Sequence, residues 1–193
     1  MTRRFIAAVP LFTLTLTACA LLIRVAAPEP SAHFDLLVLD REQPRLWPWL
    51  TAHFLHTDNA HLGWNLVAFV GLRWLGERGG RGRFFESIAA GIIAVDIWFA
   101  WIDATLRFYC GLSGVLNTVL LATLYGLRRE IAAPWLIGVA GLVALKLGIE
   151  WHSGVALFTH TRWPPAVGAH IAGFVAGLIL VAAYAWSDRT RGV

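Results

Sequence analysis

Long apolar stretches recur along the whole chain, and they constrain its fold more than any other feature of the sequence. An α-helix needs about 18 to 20 apolar residues to cross the hydrocarbon core of a bilayer. Six stretches approach or reach this length with their flanking residues: 5–25, 55–75, 84–103, 112–127, 132–150 and 166–186. The sequence therefore predicts an all-α membrane protein, in which residues 1–193 form a single domain of six transmembrane helices.

The composition agrees with a membrane environment. Charged residues make up only 15% of the chain and hydrophobic residues 58%, whereas a soluble domain has about 25% charged residues. Ten tryptophans are present, and this side chain favours the interface between membrane and water. The net charge is +4, but the arginines are scattered between apolar stretches, which argues against a nucleic-acid-binding surface.

The first apolar stretch contains the sequence Leu-Thr-Ala-Cys ending at Cys19, which is similar to a lipoprotein cleavage site. The apolar run continues past Cys19 to Val25, however, and a signal sequence usually has an apolar region of only about 7–15 residues. We therefore expect the first helix to be retained. Cys19 and Cys110 have no CxxC partners and indicate neither a disulfide framework nor a zinc site.

The arginines predict the orientation of the helices, because cytoplasmic loops carry an excess of basic residues. If six helices alternate across the membrane, the larger group falls on one side: Arg3, Arg4, Arg78, Arg81, Arg83, Arg128, Arg129, Arg189 and Arg191. The opposite side holds Arg41, Arg45, Arg107 and Arg162. Both termini are therefore expected in the cytoplasm.

A serine between glycines opens the fourth predicted span, in the order Gly111-Leu112-Ser113-Gly114. The glycines would let another helix, or the backbone of a substrate, approach closely. Glycine and serine are also common where membrane helices pack, so the motif alone fits either a packing contact or a nucleophile. A serine hydroxyl becomes a good nucleophile only when a base removes its proton.

His170 in the sixth span is the candidate base. An ionisable residue inside a span is costly and suggests function, although a histidine that bonds a backbone carbonyl is the alternative. Gly173 and Gly177 follow at three and seven residues, and therefore lie on the same helical face as His170. This smooth face predicts that the sixth helix packs closely against the fourth and brings His170 to Ser113.

The second span carries His61 and Asn65, which are four residues apart and share one helical face. Both can donate hydrogen bonds, as stabilisation of the oxyanion in peptide hydrolysis requires. A metal site formed by His53, His56 and His61 is the alternative, but the spacing differs from that of zinc motifs and no acidic ligand is suitably spaced. We therefore expect neither a metal nor another cofactor.

Other charged residues in the spans have simpler interpretations. Asp96 lies near the middle of the third span, where a hydrogen bond to another helix is expected in preference to catalysis. Lys146 and Glu150 are four residues apart in the fifth span, where an ion pair or snorkelling to the interface is expected. Asp103 and Arg107 have the same spacing and give the same expectation.

Together these motifs resemble the rhomboid family of intramembrane serine proteases. The resemblance rests on His56, His61 and Asn65 in the second span, Gly-Leu-Ser-Gly in the fourth, and His-x-x-Gly-x-x-x-Gly in the sixth. It implies a rhomboid-like bundle of six helices and a dyad of Ser113 and His170 without a third, acidic member. It also implies an oxyanion hole formed by His61, Asn65 and the backbone N–H of Ser113, with His56 as a supporting residue.

The small size of the chain and the sequence Tyr-Cys-Gly-Leu-Ser-Gly, residues 109–114, resemble the rhombosortase branch of this family. The resemblance implies an endopeptidase that cleaves transmembrane segments of membrane-anchored proteins, in particular the C-terminal Gly-Gly-type sorting tails of exported proteins. The implied location is a bacterial inner membrane, with the active site open to the periplasm. Transmembrane protein substrates and the lipid bilayer are then its partners.

The chain departs from the family pattern at two places. Asn117 stands where many rhomboids place a tyrosine against the catalytic histidine, so that ring contact is either lost or supplied elsewhere, with Trp64 as a candidate. The first loop reads Trp47-Pro48-Trp49, with Arg45 slightly earlier, where rhomboids often show Trp-Arg.

Two other functions are alternatives. A catalytically inactive rhomboid-like chaperone that binds transmembrane helices is one alternative. A transporter with a proton path through Asp96, His170 and Lys146 is the other, although the chain has no detectable internal repeat.

Overall fold

The computed structural model describes residues 11–29, 31–76, 81–157 and 163–192. These residues form eight α-helices and one small antiparallel sheet. The helices are α1 (Leu11–Ala26), α2 (Ala32–Leu37), α3 (Pro48–Thr51), α4 (Asn59–Gly76), α5 (Arg81–Ile97), α6 (Ser113–Gly126), α7 (Ala133–Ser153) and α8 (Val167–Thr190). The strands are β1 (Leu39–Asp40) and β2 (Phe108–Tyr109).

The long helices coincide with the predicted apolar stretches. Stretches two to six correspond to α4, α5, α6, α7 and α8, and a π-helical turn, Trp98–Ile102, extends α5 to the end of the third stretch. Residues 11–25 of the first stretch lie in α1, whereas residues 5–10 lie outside the described part of the chain. The apolar runs therefore predict the positions of the helices well.

Three helices in the described residues are long and apolar enough to cross a membrane: Gly82–Ile102, Ala133–Ser153 and Val167–Thr190. The apolar segment Thr13–Ala26 of α1 is shorter. The 14 residues of α6 extend over only about 21 Å at a rise of about 1.5 Å per residue. The structure thus supports an integral membrane protein, and the full number of six spans stays a prediction.

Helix α6 lies at the centre of the bundle and packs against α4, α5 and α8. The contact with α8 is closest where two glycines meet, because a Cβ added to Gly173 would overlap the backbone carbonyl of Gly114. Beside them, the Thr118 hydroxyl donates a hydrogen bond to the carbonyl of Gly173 at 2.7 Å. The predicted close contact between the fourth and sixth spans is confirmed.

The segment before α4 folds over one end of α5. Leu39 and Asp40 of β1 pair with Tyr109 and Phe108 of β2. Arg41 follows β1, and its guanidinium donates hydrogen bonds to four carbonyl groups at the end of α5 and in the loop after it: Phe99, Ala100, Asp103 and Leu106. These contacts satisfy carbonyl groups that a helix end leaves without partners.

Of the two roles expected for Asp103 and Arg107, an ion pair with each other is wrong. The Asp103 carboxylate accepts hydrogen bonds from the Thr105 backbone and hydroxyl instead, at 3.0 and 2.6 Å. Arg107 pairs with Glu42 at 2.9 Å, across the loop that carries β1. The spacing rule fails here because the helix ends before Asp103, and residues four apart share a face only within a helix.

The opposite end of the bundle is tied together by Asp188 of α8. Its carboxylate accepts hydrogen bonds from Arg83 of α5, from the Tyr125 hydroxyl of α6 at 2.9 Å, and from Arg128 at 2.6 Å. Arg128 lies in the turn that follows α6. One carboxylate therefore joins three helices at this end.

Candidate active site

Ser113 is the first residue of α6, and the backbone just before it is held tightly. Gly111 has a φ of +115°, in a region that favours glycine, and an added Cβ would meet the imidazole of His61. The Gly111 N–H donates to the Ala52 carbonyl at 2.9 Å, and its carbonyl accepts from the Tyr109 hydroxyl at 2.8 Å. These contacts fix the position from which α6, and therefore Ser113, begins.

His170 lies in the first turn of α8 and faces Ser113, whose Oγ is 2.7 Å from His170 Nε2. This distance is that of a hydrogen bond with the hydroxyl as donor. Nε2 can accept the proton only if the neutral imidazole carries its own proton on Nδ1. The pair thus has the arrangement of a nucleophile and its general base.

Asn65 and His61 of α4 line a cavity of about 430 Å³ together with Ser113 and His170. The side-chain nitrogen of Asn65 is buried and has no hydrogen-bond partner in the described part of the chain. The backbone N–H of Ser113 likewise has no carbonyl partner within α6, because it belongs to the first turn. The cavity is therefore lined by two residues whose side chains can donate hydrogen bonds, His61 and Asn65, together with Ser113.

His61 is held by its neighbours at the start of α4. Asp58 accepts a hydrogen bond from the His61 backbone N–H at 2.7 Å, as a helix cap does. The Thr57 hydroxyl lies 3.4 Å from His61 Nδ1. The ring of His56 packs edge-on against that of His61, with 4.9 Å between centroids. His56 itself bonds the carbonyl of Phe54 through Nδ1 at 3.0 Å, so it supports the wall of the cavity.

Asp96 has a different partner from the one predicted. Its carboxylate lies 3.1 Å from Nε2 of His53, which belongs to the 3-10 turn Ala52–Phe54 and not to another long helix. The His53 ring packs edge-on against Tyr109, whose hydroxyl bonds Gly111. Asp96 thus stabilises the backbone that leads to Ser113. The sequence does not reveal that His53 and Tyr109 connect Asp96 to this backbone.

Of the two outcomes expected at His170, a lost or a replaced ring contact, the described residues show the loss. Trp64 is 57% exposed and lines the cavity, but no aromatic ring stacks on His170 within those residues. Asn117 donates a hydrogen bond to the carbonyl of Ser113 at 2.9 Å. The residue at the tyrosine position therefore contacts the serine backbone instead of the histidine.

Glu150 of α7 is a further acidic residue near His170. It is only 1% exposed, and its Oε2 lies 2.7 Å from Lys146 Nζ, which confirms the predicted ion pair. The same oxygen lies 4.0 Å from His170 Nδ1. The sequence could not reveal this second contact, because the pairing with Lys146 already accounts for the carboxylate.

Cys110 is a second nucleophilic side chain in the lining of the cavity. Its side chain is buried against the cavity, and burial raises the pKa of the Cys110 thiol. A protonated thiol is a weak nucleophile. Within the described residues, no three histidine, cysteine, aspartate or glutamate side chains converge as metal ligands.

The family model described as Rhomboid domain matches residues 43–187 of the chain. The match covers well over half of the sequence. It begins before α3 and ends within α8, so it includes every residue that lines the cavity. No curated protein matches the chain.

Proposed function

The chain belongs to the rhomboid family, and on that premise we propose that it is an intramembrane serine endopeptidase. Ser113 is the proposed nucleophile and His170 the proposed general base. The observation that carries this proposal is the distance of 2.7 Å between Ser113 Oγ and His170 Nε2. A serine and a histidine that are 57 residues apart in sequence meet in the lining of a cavity to which Asn65, with its unpaired side-chain nitrogen, also belongs.

The first half of the proposed reaction forms an acyl-enzyme. Ser113 Oγ attacks the carbonyl carbon of the scissile peptide while its proton passes to His170 Nε2. The carbonyl oxygen becomes negatively charged and accepts hydrogen bonds from His61, Asn65 and the Ser113 N–H. The carbon–nitrogen bond then breaks, and the leaving amine takes the proton from His170.

The second half releases Ser113. A water molecule gives a proton to His170 Nε2 and attacks the ester carbonyl. The bond between that carbon and Ser113 Oγ then breaks, which releases a carboxylic acid, and Oγ takes the proton back from His170. An amine in place of water would complete a transfer in the manner of a sortase. Hydrolysis and transfer use the same residues and differ only in the second nucleophile.

The proposed substrates are transmembrane segments of membrane-anchored proteins. Backbone exposed at membrane depth is tolerated where it lies inside protein or a wet cavity, and the cavity around Ser113 provides such a place. We propose that the chain belongs to the rhombosortase branch and cleaves C-terminal Gly-Gly-type sorting tails of exported proteins. The motif over residues 109–114 supports this, and glycines in a tail weaken its helix by about 1 kcal/mol each.

The proposed location is a bacterial inner membrane, with residues 1–193 as one domain of six spans and both termini in the cytoplasm. Ser113 begins α6, and Arg128 follows its other end. The cluster of Arg83 and Arg128 around Asp188 would then face the cytoplasm, as basic residues prefer. The cavity would open towards the periplasm.

The test uses purified full-length protein in liposomes with a membrane-anchored reporter. The reporter ends in Gly-Gly, an apolar helix and arginines. We expect Ser113→Ala to abolish both cleavage of the reporter and labelling by a fluorophosphonate, because no nucleophile remains. Ser153→Ala, at the exposed end of α7, should leave both unchanged.

Cleavage that persists in Ser113→Ala would overturn the proposal. A wild-type protein that binds the reporter helix, but neither cleaves it nor reacts with the fluorophosphonate, would favour the inactive helix-binding chaperone. Measurements on one preparation therefore distinguish the endopeptidase from the inactive chaperone.

A further inference from the structure

Helix α7 brings a buried carboxylate to the side of His170 that faces away from Ser113. The imidazole contacts Ser113 through Nε2 at 2.7 Å. Its other nitrogen, Nδ1, lies 4.0 Å from Glu150 Oε2. The order along this line is therefore carboxylate, imidazole and hydroxyl.

Glu150 is held in place by two other hydrogen bonds. Oε2 accepts from Lys146 Nζ at 2.7 Å, and Oε1 accepts from the backbone N–H of Leu157 at 2.8 Å. A carboxylate that is only 1% exposed would be strongly disfavoured in its charged form without such partners. Lys146 and Leu157 thus compensate for the burial of the Glu150 carboxylate beside the imidazole.

The chemistry of His170 gives this carboxylate a role. When Nε2 accepts the serine proton, the imidazole becomes a cation with a proton on each nitrogen. An anion within about 4–6 Å favours that cation, and an acceptor near Nδ1 favours the tautomer that leaves Nε2 free. A distance of 4.0 Å is longer than a direct hydrogen bond, so the effect acts through charge or through a bridging water.

We propose that Glu150 is a positioning residue for His170. Glu150 acts through its negative charge and adds a third, acidic side chain to the pair of Ser113 and His170. This inference rests on the proposed function. It departs from the dyad without an acidic member that the sequence resemblance implies. Glu150 is not among the residues that line the cavity, and its proposed role involves no covalent step.

Other charged or titratable groups also face the imidazole. Among the described residues they are Lys146 on α7, His61 on α4 and the Ser113 hydroxyl on α6. Lys146 and His61, when protonated, act against a positive charge on His170, and Glu150 supplies the negative charge that favours it. Removal of the Glu150 charge should therefore make the protonated form of His170 less stable.

The test is the rate at which a fluorophosphonate labels Ser113, measured from pH 4 to pH 9 in liposomes, in steps of about half a unit. Glu150→Gln keeps the size of the side chain and an acceptor for Leu157, but it removes the charge. We expect the maximal rate to fall about tenfold or more. The midpoint of the acidic limb should move to lower pH by about one unit, because the imidazolium loses its nearest anion.

Two further variants separate charge from structure. Glu150→Asp keeps the charge but shortens the side chain, and it should hold the midpoint within about 0.3 units of wild type. Glu42→Gln removes a surface carboxylate that pairs with Arg107, and it should change neither rate nor midpoint. A purely structural role predicts the reverse order, with Glu150→Gln tolerated and Glu150→Asp impaired.

If Ser113 is labelled in the wild type and the pH profile of Glu150→Gln is unchanged, the proposed role of Glu150 is overturned and the proposed function is not. Absence of labelling in the wild type, or labelling that survives Ser113→Ala, would overturn the proposed function. If Glu150→Gln fails to fold, Glu150→Asp decides the question, because a shifted midpoint in a variant that keeps the carboxylate would contradict the proposal.

Discussion

Asn65 shows at the scale of one residue what distinguishes this cavity from ordinary packing. Its side-chain nitrogen is buried without a partner in the described part of the chain. An unpaired buried amide destabilises a fold by about 1–3 kcal/mol, so such groups are uncommon and call for an explanation. An unpaired donor on a residue that lines the cavity with Ser113 is explained if an oxygen of the substrate binds it during the reaction.

Asn65→Ala tests this explanation. We expect kcat for reporter cleavage to fall about 10²- to 10³-fold, because one donor to the oxyanion is lost, while KM changes little. Asn59→Ala is the matched control, since Asn59 bonds the exposed Arg24 side chain at 3.1 Å, away from the cavity. A comparable kcat for Asn65→Ala and wild type would exclude Asn65 from the oxyanion hole.

Residues of the candidate site differ in how far the sequence predicts their contacts. Ser113 and His170 stand out because polar side chains in apolar helices are few, and glycines beside each indicate that their helices touch. The partner of Asp96 could not be predicted, because His53 is 43 residues away in a short turn. Arg107 likewise pairs across a loop with Glu42.

At the scale of elements, the contact of α6 with α8 positions the candidate nucleophile and base relative to each other. Thr118 bonds the carbonyl of Gly173, and the backbone of Gly114 fills the space that a Cβ on Gly173 would need. His170 lies one turn before Gly173 on the same face of α8. The distance between Ser113 and His170 therefore depends on how closely the two helix backbones approach.

Gly173→Ala should separate these helices. The added methyl group overlaps backbone atoms that cannot rotate away, so we expect destabilisation by about 1–3 kcal/mol and a large loss of fluorophosphonate labelling. Gly148→Ala in α7 is the control, because no atom lies within 4 Å of the added Cβ and alanine favours a helix. Thermal unfolding in detergent and labelling of Ser113 measure the two effects, and unchanged values for Gly173→Ala would contradict the packing.

The long helices follow from apolar runs, and the short elements do not. The prolines and charges of residues 28–50 are typical of a loop, yet α2, β1 and most of α3 lie in this range. A strand of two residues has no periodicity to detect. Its pairing with β2 joins parts of the chain that are far apart in sequence, and only the packed structure brings these parts together.

At the scale of the whole molecule, the two ends of α6 carry different groups of polar residues. Asp188 gathers Arg83 and Arg128 at one end, whereas Ser113 and the cavity lie at the other end of α6. An uneven distribution of arginines is the pattern from which the sequence predicts an orientation in the membrane. The carboxylate that binds Arg83 and Arg128 could not be predicted in this way.

Cysteine accessibility checks the orientation. In a Cys19→Ala background, a maleimide that cannot cross membranes should label Glu42→Cys on intact bacterial spheroplasts. It should label Thr190→Cys only after the membrane is permeabilised, because positive charge keeps that end in the cytoplasm. The buried Cys110 stays protonated and should not react. The opposite labelling pattern would reverse the proposed orientation.

Helix α7 is attached to the bundle differently from the other long helices. Only Leu147 and Glu150 are buried along its 21 residues, and one of these is the carboxylate beside His170. A small apolar molecule that wedged between α7 and α8 would therefore draw the charge away from the imidazole without entering the cavity. On the proposed role of Glu150, such a molecule would slow the reaction of Ser113 although it leaves the cavity free.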